Sequence, residues 1–265
     1  VAGTNYVKGP HRLRLRGDTK LHIIPLGDVH VGSTAFNKDY FEYALDYIHE
    51  IQKKEPTIIY LMGDLLEAAD KKVGDSVYNT DMSLDDQVEY IIDSLKPYRK
   101  RIRFTCIGNH EHRLKDTYNL DLMDIIANAL KTEAGYSVVD RLKVGREEIR
   151  VHMHHGSGWS KYEHTALAKL QRETSHIQAD IFLQGHNHRA GHYTQPYIHY
   201  GDELRVKRKH YFFTGTFMGH ASYARAKALP YLPEAFMDIR VDKKGVVNSR
   251  MLSIDVEAPG LIMWG

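Results

Sequence analysis

The stretch Leu21-His22-Ile23-Ile24-Pro25-Leu26-Gly27-Asp28-Val29-His30 decides how this chain reads. Six mostly apolar residues stopped by a glycine read as a buried strand, and an acid and an imidazole follow two residues apart. The same order returns downstream. Residues 57–62 form a second apolar run, ending in Gly63-Asp64-Leu65-Leu66-Glu67, and residues 102–107 a third, ending in Gly108-Asn109-His110-Glu111. Later come His154-His155-Gly156 and Gly185-His186-Asn187-His188. Side chains at the carboxyl ends of several strands converge in α/β sheets, and glycine lets the backbone turn sharply there.

Between these strands lie helical patterns. Asn37 can cap a helix in which Phe41, Ala44, Leu45, Ile48 and Ile51 recur at helical spacing, and Pro56 stops it. Ser83 and Asp86 resemble a capping box opening a helix that runs to about Pro97, and residues 120–130 are amphipathic. In the second half, residues 137–144 and 148–154 flank a Gly145-Arg146 turn and read as a hairpin. A helix near 162–173 and a strand at 180–184 follow, then strands near 192–200, 204–214, 235–241 and 246–254. This order predicts an α/β fold of two packed mixed β-sheets flanked by helices, an αββα sandwich. It is expected to be a single domain over 1–265, with 1–20 an N-terminal extension or edge strand and 256–265 a C-terminal tail.

Composition narrows the class. Lys and Arg number 36 against 34 Asp and Glu, and 42% of residues are hydrophobic, which excludes disordered, collagen-like and coiled-coil chains. A single cysteine, Cys106, excludes an intramolecular disulfide framework and an all-thiolate zinc site. Seventeen of 265 residues are histidine, with clusters at 110–112, 152–155 and 186–192, and such an excess points to metal ligation. No apolar run reaches the roughly 18–20 residues of a membrane span. The start, Val1-Ala2-Gly3-Thr4-Asn5-Tyr6, lacks the basic and apolar regions of a secretory signal. A cytoplasmic protein with no membrane partner is expected.

Each fragment alone is an ordinary turn. In the order Asp-x-His, Gly-Asp, Gly-Asn-His-Glu, His-Gly, Gly-His-x-His they resemble the calcineurin-like metallophosphoesterase superfamily, over residues 27–188. The resemblance implies two divalent metal ions. Asp28, His30, Asp64 and His188 would hold the first, and Asp64 would bridge to a second held also by Asn109, His155 and His186. His155 is preferred over His154 because it directly precedes Gly156. A bridging carboxylate brings two cations to about 3.5–4 Å, as two-metal hydrolysis requires, and the attacking group would be a metal-bridging hydroxide. Mixed N/O ligation suits Mn, Fe, Zn, Ni or Co, with Mn2+ expected. The resemblance makes His110 the catalytic histidine, protonating the leaving oxygen or stabilising the transition state. Glu67 sits where the family often places the carboxylate that fixes this ring and keeps it protonated; a solvated loop glutamate is the plain alternative.

The substrate is less marked. Asp64 is followed by Leu-Leu-Glu and not by the Val-Asp-Arg-Gly continuation of the Gly-Asp motif in protein Ser/Thr phosphatases, which disfavours that activity. Arg205-Val206-Lys207-Arg208-Lys209-His210 is strongly basic and lies among Tyr193, Tyr197, Tyr200 and Tyr211. Basic grooves with aromatic platforms hold single strands. Against this, Lys and Arg also guard exposed strands, and the net charge of +2 speaks against a broadly basic surface. Arg113, Arg189 and His220 are candidate substrate contacts; Trp159 and Tyr162 either wall the pocket or pack the next helix. The expected activity is hydrolysis of phosphodiesters, in DNA, RNA or nucleotides. A phosphomonoesterase or pyrophosphohydrolase acting on a small nucleotide-like or sugar-nucleotide substrate is the alternative. A non-catalytic nucleic-acid-associated scaffold of the same fold is the alternative of another class, and the complete ligand set speaks against it. His112, His152, His154 and His192 are expected near the site without a ligand role.

Overall fold

The computed structural model describes residues 6–69, 80–158, 160–200, 204–219, 231–254 and 261–264. Its strands are β1 (Tyr6–Leu13), β2 (Leu21–Leu26), β3 (Thr57–Leu61), β4 (Ile102–Cys106), β5 (Ala134–Gly135), β6 (Ser137–Val144) and β7 (Glu147–His154). They continue with β8 (Ile181–Gln184), β9 (Ala190–Tyr200), β10 (Leu204–Thr216), β11 (Ala235–Val241), β12 (Val247–Ile254) and β13 (Leu261–Trp264). The helices are α1 (Lys38–Gln52), α2 (Leu84–Leu95), α3 (Asn109–Tyr118), α4 (Leu122–Leu130) and α5 (Glu163–Glu173). None of the described helices is long and apolar enough to cross a membrane.

Alternation along the strands builds the layers. Ile23, Tyr60, Phe104 and Ile239 face inward and meet Leu142, Val151, Leu183 and Phe212 from the other sheet. Their sequence neighbours Ile24, Ile59 and Leu61 point outward onto Phe41, Ile48, Ile91 and Ile126 of α1, α2 and α4. On the far side, Phe182, Tyr211 and Phe213 carry Ala166 and Leu170 of α5. A period of two thus feeds two faces from one strand. The αββα sandwich is therefore present as a mixed α/β domain. Its two sheets are continuous, because Gly215 and Thr216 of β10 pair with Phe236 and Ala235 of β11.

Asn37 and Ser83 cap α1 and α2 by accepting the amides of Tyr40 and Asp86. Asp86 accepts the Ser83 hydroxyl (2.5 Å) instead of the Ser83 amide that a reciprocal box would use. Helix α3 has no counterpart in the sequence reading. It buries only Glu111 and Leu114, so no apolar stripe announces it.

Strand direction places the site. β2 to β5 run parallel, as do β7, β8 and β10. Strand β11 is antiparallel to both β10 and β2, so all seven strands point the same way. Every motif of the sequence reading falls on that one rim.

At the opposite end of β2, His22 donates to Asp238 (2.8 Å) and Glu55 (2.6 Å) from its two ring nitrogens, and is an imidazolium. Burial opposes its charge, but the hydrogen bonds and charges of Asp238 and Glu55 win and raise its pKa above 6.5. A raised native pKa stabilises the fold fully below the unfolded value and loses that effect as pH rises through the native value. The urea midpoint of wild type should therefore exceed that of His22→Asn by more at pH 6 than at pH 9.5. Equal differences at both pH values would mean that the ring is neutral in the fold.

Candidate metal centre

The backbone at the rim is strained where ligands are expected. Asp28 (φ 49°), His30 (54°), Asp64 (48°), His186 (69°) and His188 (56°) all adopt the left-handed conformation. It costs a residue with a Cβ about 1–2 kcal/mol. Of the other described non-glycine residues with positive φ, Asn119 and Lys131 close α3 and α4 as helix caps, leaving only Ala68. Strain of this kind persists only where surrounding structure enforces it.

That enforcement is visible. Asp28 donates its amide to the Gly63 carbonyl (2.9 Å), and Val29 and His30 donate theirs to the Asp64 carbonyl (2.8 and 3.1 Å). The loops after β2 and β3 are thereby zipped together. A Cβ on Gly108 would stand 2.1 Å from the Asp64 nitrogen, so only glycine lets the end of β4 approach. Glu111, buried in the first turn of α3, accepts the amides of Leu65 (2.7 Å), Leu66 (3.1 Å) and Asp64 (3.1 Å). Sequence reasoning gave Glu111 no role. The usable signal was an acid in a helix first turn beside a strand-end Gly-Asp, where free amides await an acceptor. Asp28 in turn clasps the His186 amide with both carboxylate oxygens (3.0 and 2.9 Å).

Two donor sets result. In the first, His30 donates from Nδ1 to Glu67 (3.0 Å), and its Nε2 faces His188 Nε2 at 3.1 Å. His188 Nε2 is 3.5 Å from Asp28 Oδ1. In the second, His155 donates from Nδ1 to the Met62 carbonyl (2.7 Å), leaving Nε2 3.1 Å from Asn109 Oδ1 and 3.3 Å from His186 Nδ1. Asn109 Oδ1 is also 2.7 Å from His186 Nδ1. Asp64 Oδ2 stands between the sets, 3.1 Å from His155 Nε2 and 4.0 Å from His30 Nε2. His110 lies within the same cluster, with ligand atoms of His30 and Asp64 inside 4.8 Å.

With the Nδ1 protons of His30 and His155 directed outward, Nε2 of both rings, the Asp28 and Asp64 carboxylates and Asn109 Oδ1 face one another. A divalent cation could take the place of protons there, and the N/O donors suit Mn, Fe, Zn, Ni or Co. The charges agree. Burial raises the Asp28 carboxyl to about 7 against the pull of His155, and the Asp64 charge adds to the rise. Burial opposes a proton on His155 and His30, yet Asp64 draws the first to about 10 and Glu67 the second to about 9. Cations in the two sets would supply that positive charge directly.

Several expectations need correction. The Glu67 carboxylate bonds His30, and its oxygen is 3.8 Å from His110 Nδ1; only the Glu67 main-chain carbonyl meets that nitrogen (2.8 Å). Burial, opposed by Asp64, takes the His110 pKa down to about 4, so the ring is neutral and not held protonated. Arg113 donates from Nη2 to the Glu67 carbonyl (2.5 Å) and lies 2.9 Å from His110 Nδ1. His110 Nδ1 thus stands between a guanidinium donor and the Glu67 carbonyl acceptor. Arg189 is buried and fastens the chain before α5 through the carbonyls of Ser160 (3.1 Å) and Lys161 (3.0 Å). The basic run 205–209 precedes the register of β10 with β8, which begins at His210, and lies towards the opposite rim. Seven residues from Lys209 to Thr216 span roughly 23 Å.

His220 and Trp159 lie outside the described residues. Tyr162 is exposed and stacks on His164 at the start of α5 (5.6 Å). His112 pairs with Asp116 (3.0 Å) along α3. His152 is buried against Phe182, with the His154 ring 5.3 Å away, and His192 bonds His210 (2.9 Å) and Ser249 (2.9 Å). None of these four histidines joins a donor set among the described residues.

Replacing Glu111 tests how the cluster is held. Glu111→Gln should leave the fold intact and weaken Mn2+ binding about 10- to 100-fold in isothermal titration, as loss of a ligand-orienting partner does. Unchanged affinity would show that the Asp64 loop is set by other contacts.

The family model for calcineurin-like phosphoesterase matches residues 21–220. No curated protein matches the chain. Among solved structures, Vacuolar Protein Sorting 29 from Cryptosporidium parvum is similar, with a TM-score of 0.50 at 15% identity over 93% of this chain and 98% of that one. A conserved uncharacterized protein (predicted phosphoesterase) from Streptococcus pneumoniae aligns with a TM-score of 0.41 at 13% identity, over 94% and 99% of the two chains. NAD nucleotidase from Haemophilus influenzae gives 0.41 at 9% identity, over 94% and 54%. Likeness at such identities is likeness of fold. The family match itself spans most of the sequence and every motif that carries the donor sets, and the chain belongs to the calcineurin-like phosphoesterase family.

Proposed function

We propose that this protein is a two-metal hydrolase of phosphodiester bonds in nucleic acid or nucleotides, with Mn2+ as its ion. The carrying observation is the convergence of five side chains from left-handed backbone, with Asn109 and His155, on two adjoining acceptor sets. Asp28, His30 and His188 would hold one ion, Asn109, His155 and His186 the other, and Asp64 both. Divalent ions there would activate a water for in-line attack and offset charge on the phosphoryl oxygens.

The protein's own part is geometric and protonic. Glu67 and the Met62 carbonyl fix the His30 and His155 rings with Nε2 inward. Arg113 and the Glu67 carbonyl hold the neutral His110 ring at Nδ1. With its proton on Nε2, His110 would donate to a phosphoryl or leaving oxygen without bringing a charge of its own. The preference for diesters is supported by where the arginines went. Arg113 and Arg189, the two arginines beside the metal motifs, each give Nη2 to main-chain carbonyls. Held so, neither would be a clamp for the second negative charge that a phosphomonoester carries.

With Mn2+ present, wild type should hydrolyse bis-p-nitrophenyl phosphate faster than p-nitrophenyl phosphate. Asp64→Asn and His110→Ala should each lose about 100-fold or more in kcat. Faster monoester turnover would overturn the diester preference, and wild-type rates in both variants would overturn the site. Mn2+ binding in calorimetry with no ester hydrolysed would favour the scaffold reading.

A further inference from the structure

Strand direction creates a second rim, opposite the metal motifs, and charge is unevenly placed on it. Five connections lead into β2, β3, β4, β5 and β12 there: residues 14–20, 53–56, 96–101, 131–133 and 242–246. They hold twelve Lys and Arg against four Asp and Glu, an excess of eight in a chain whose net charge is +2. Because β12, β11, β2, β3, β4 and β5 are consecutive neighbours, the five connections lie side by side along one sheet edge. At about 4.8 Å per strand the row is some 24 Å long.

Three of the four acids are already engaged. Glu55 bonds His22 and the Lys20 amide, Glu133 pairs with Lys8, and Asp242 caps its own turn. Arg14, Arg16, Arg99, Lys100, Arg101 and Lys244 are exposed and form no ion pair among the described residues. Cations after helix carboxyl ends are ordinary, since they answer the helix dipole, and that accounts for the connections after α1, α2 and α4. It does not account for Arg14, Arg16, Lys243 and Lys244, which follow or precede strands. Meanwhile α1 and α2 carry eight Asp and Glu and one Lys, so the fold has sorted the charges.

We infer that this basal rim binds the phosphate backbone of a nucleic-acid strand, a site separate from the metal centre that tethers a polymeric substrate. The inference rests on the phosphodiesterase reading for its purpose but not for its measurement. A flat anionic bilayer fits the rim less well. Residues 204–209 of β10 pair only with β9 and reach past the first residue of β8, about 20 Å of hairpin. A plane resting on that hairpin would stand off the row of connections by more than a Debye length, about 8 Å. A flexible polyanion can lie along the row and against the hairpin, whose Lys207, Arg208 and Lys209 extend the same charge. Backbone contacts of this kind release counterions and carry no sequence preference.

The test measures binding of fluorescent 30-mer phosphorothioate oligonucleotides, single- and double-stranded, by anisotropy across salt concentrations with Mn2+ present. Vesicles with 30% phosphatidylserine serve as the competing polyanion. The variants Arg14→Gln/Arg16→Gln and Arg99→Gln/Lys100→Gln should each lower the slope of log affinity against log salt by about 2. They should weaken binding about tenfold or more, with thermal unfolding and bis-p-nitrophenyl phosphate turnover unchanged. No oligonucleotide binding by wild type, equal binding by both variants, or rim-dependent binding of vesicles alone would each overturn the inference. Because turnover of the small diester is read separately, a failed rim and a failed active site give different results.

Discussion

The rim of metal motifs depends on the buried Asp64 carboxylate. Its Oδ1 accepts the His110 amide, and its Oδ2 faces His155 on one side and His30 on the other. Holding it there needs a left-handed backbone worth about 1–2 kcal/mol of strain. Against that stand three amide hydrogen bonds to the Glu111 carboxyl, whose pKa burial and the Asp64 charge raise to about 7. The strained loop is thus held through a residue that touches no expected ligand atom. Glu111 is itself presented by α3, which can reach the loop only because Gly63 and Gly108 leave no side chain between them.

The same carboxylate sets the electrostatics. Asp28 and Asp64 are both buried, and two carboxylates without water require positive charge nearby. In the chain alone that charge comes from protons drawn onto His30 and His155. The rings placed farther from acids go the other way: burial keeps His110, with Arg113 alongside, and His186 neutral. A cluster divided between imidazoles that attract protons and imidazoles that shed them is one in which cations can replace protons locally while His110 stays neutral.

What the sequence made legible follows from periodicity and order. The runs ending at Gly27, Gly63 and Gly108 are strands because alternate residues have two apolar layers to meet, and the five motifs converge because those strands are parallel. What it left hidden depends on direction in space. Arg113 and Arg189 stand beside metal motifs in sequence, yet each turns to a main-chain carbonyl, and no pattern of residue types encodes that choice. Glu67 went to His30 and not to His110 for a similar reason: two rings compete for one carboxylate, and only three-dimensional placement decides. The basic run 205–209 is close in sequence to the last motif, but a strand of thirteen residues carries it to the other end of the sheet.

Net charge misled for a related reason. A value of +2 argued against a basic surface, but a sum over the chain says nothing about sorting. Parallel strands joined through helices do sort. Each of α1, α2 and α4 runs from the metal rim to the basal rim, so helix amino ends gather at one rim and carboxyl ends at the other. The first suits an anionic phosphoester, and α3, which opens on Asn109 and His110, adds its free amides there. The second draws lysine and arginine to compensate the dipoles, and the turns without helices then extend that charge into a continuous row. One topological fact, the shared direction of seven strands, therefore produces both the rim of metal motifs and the basic rim opposite it.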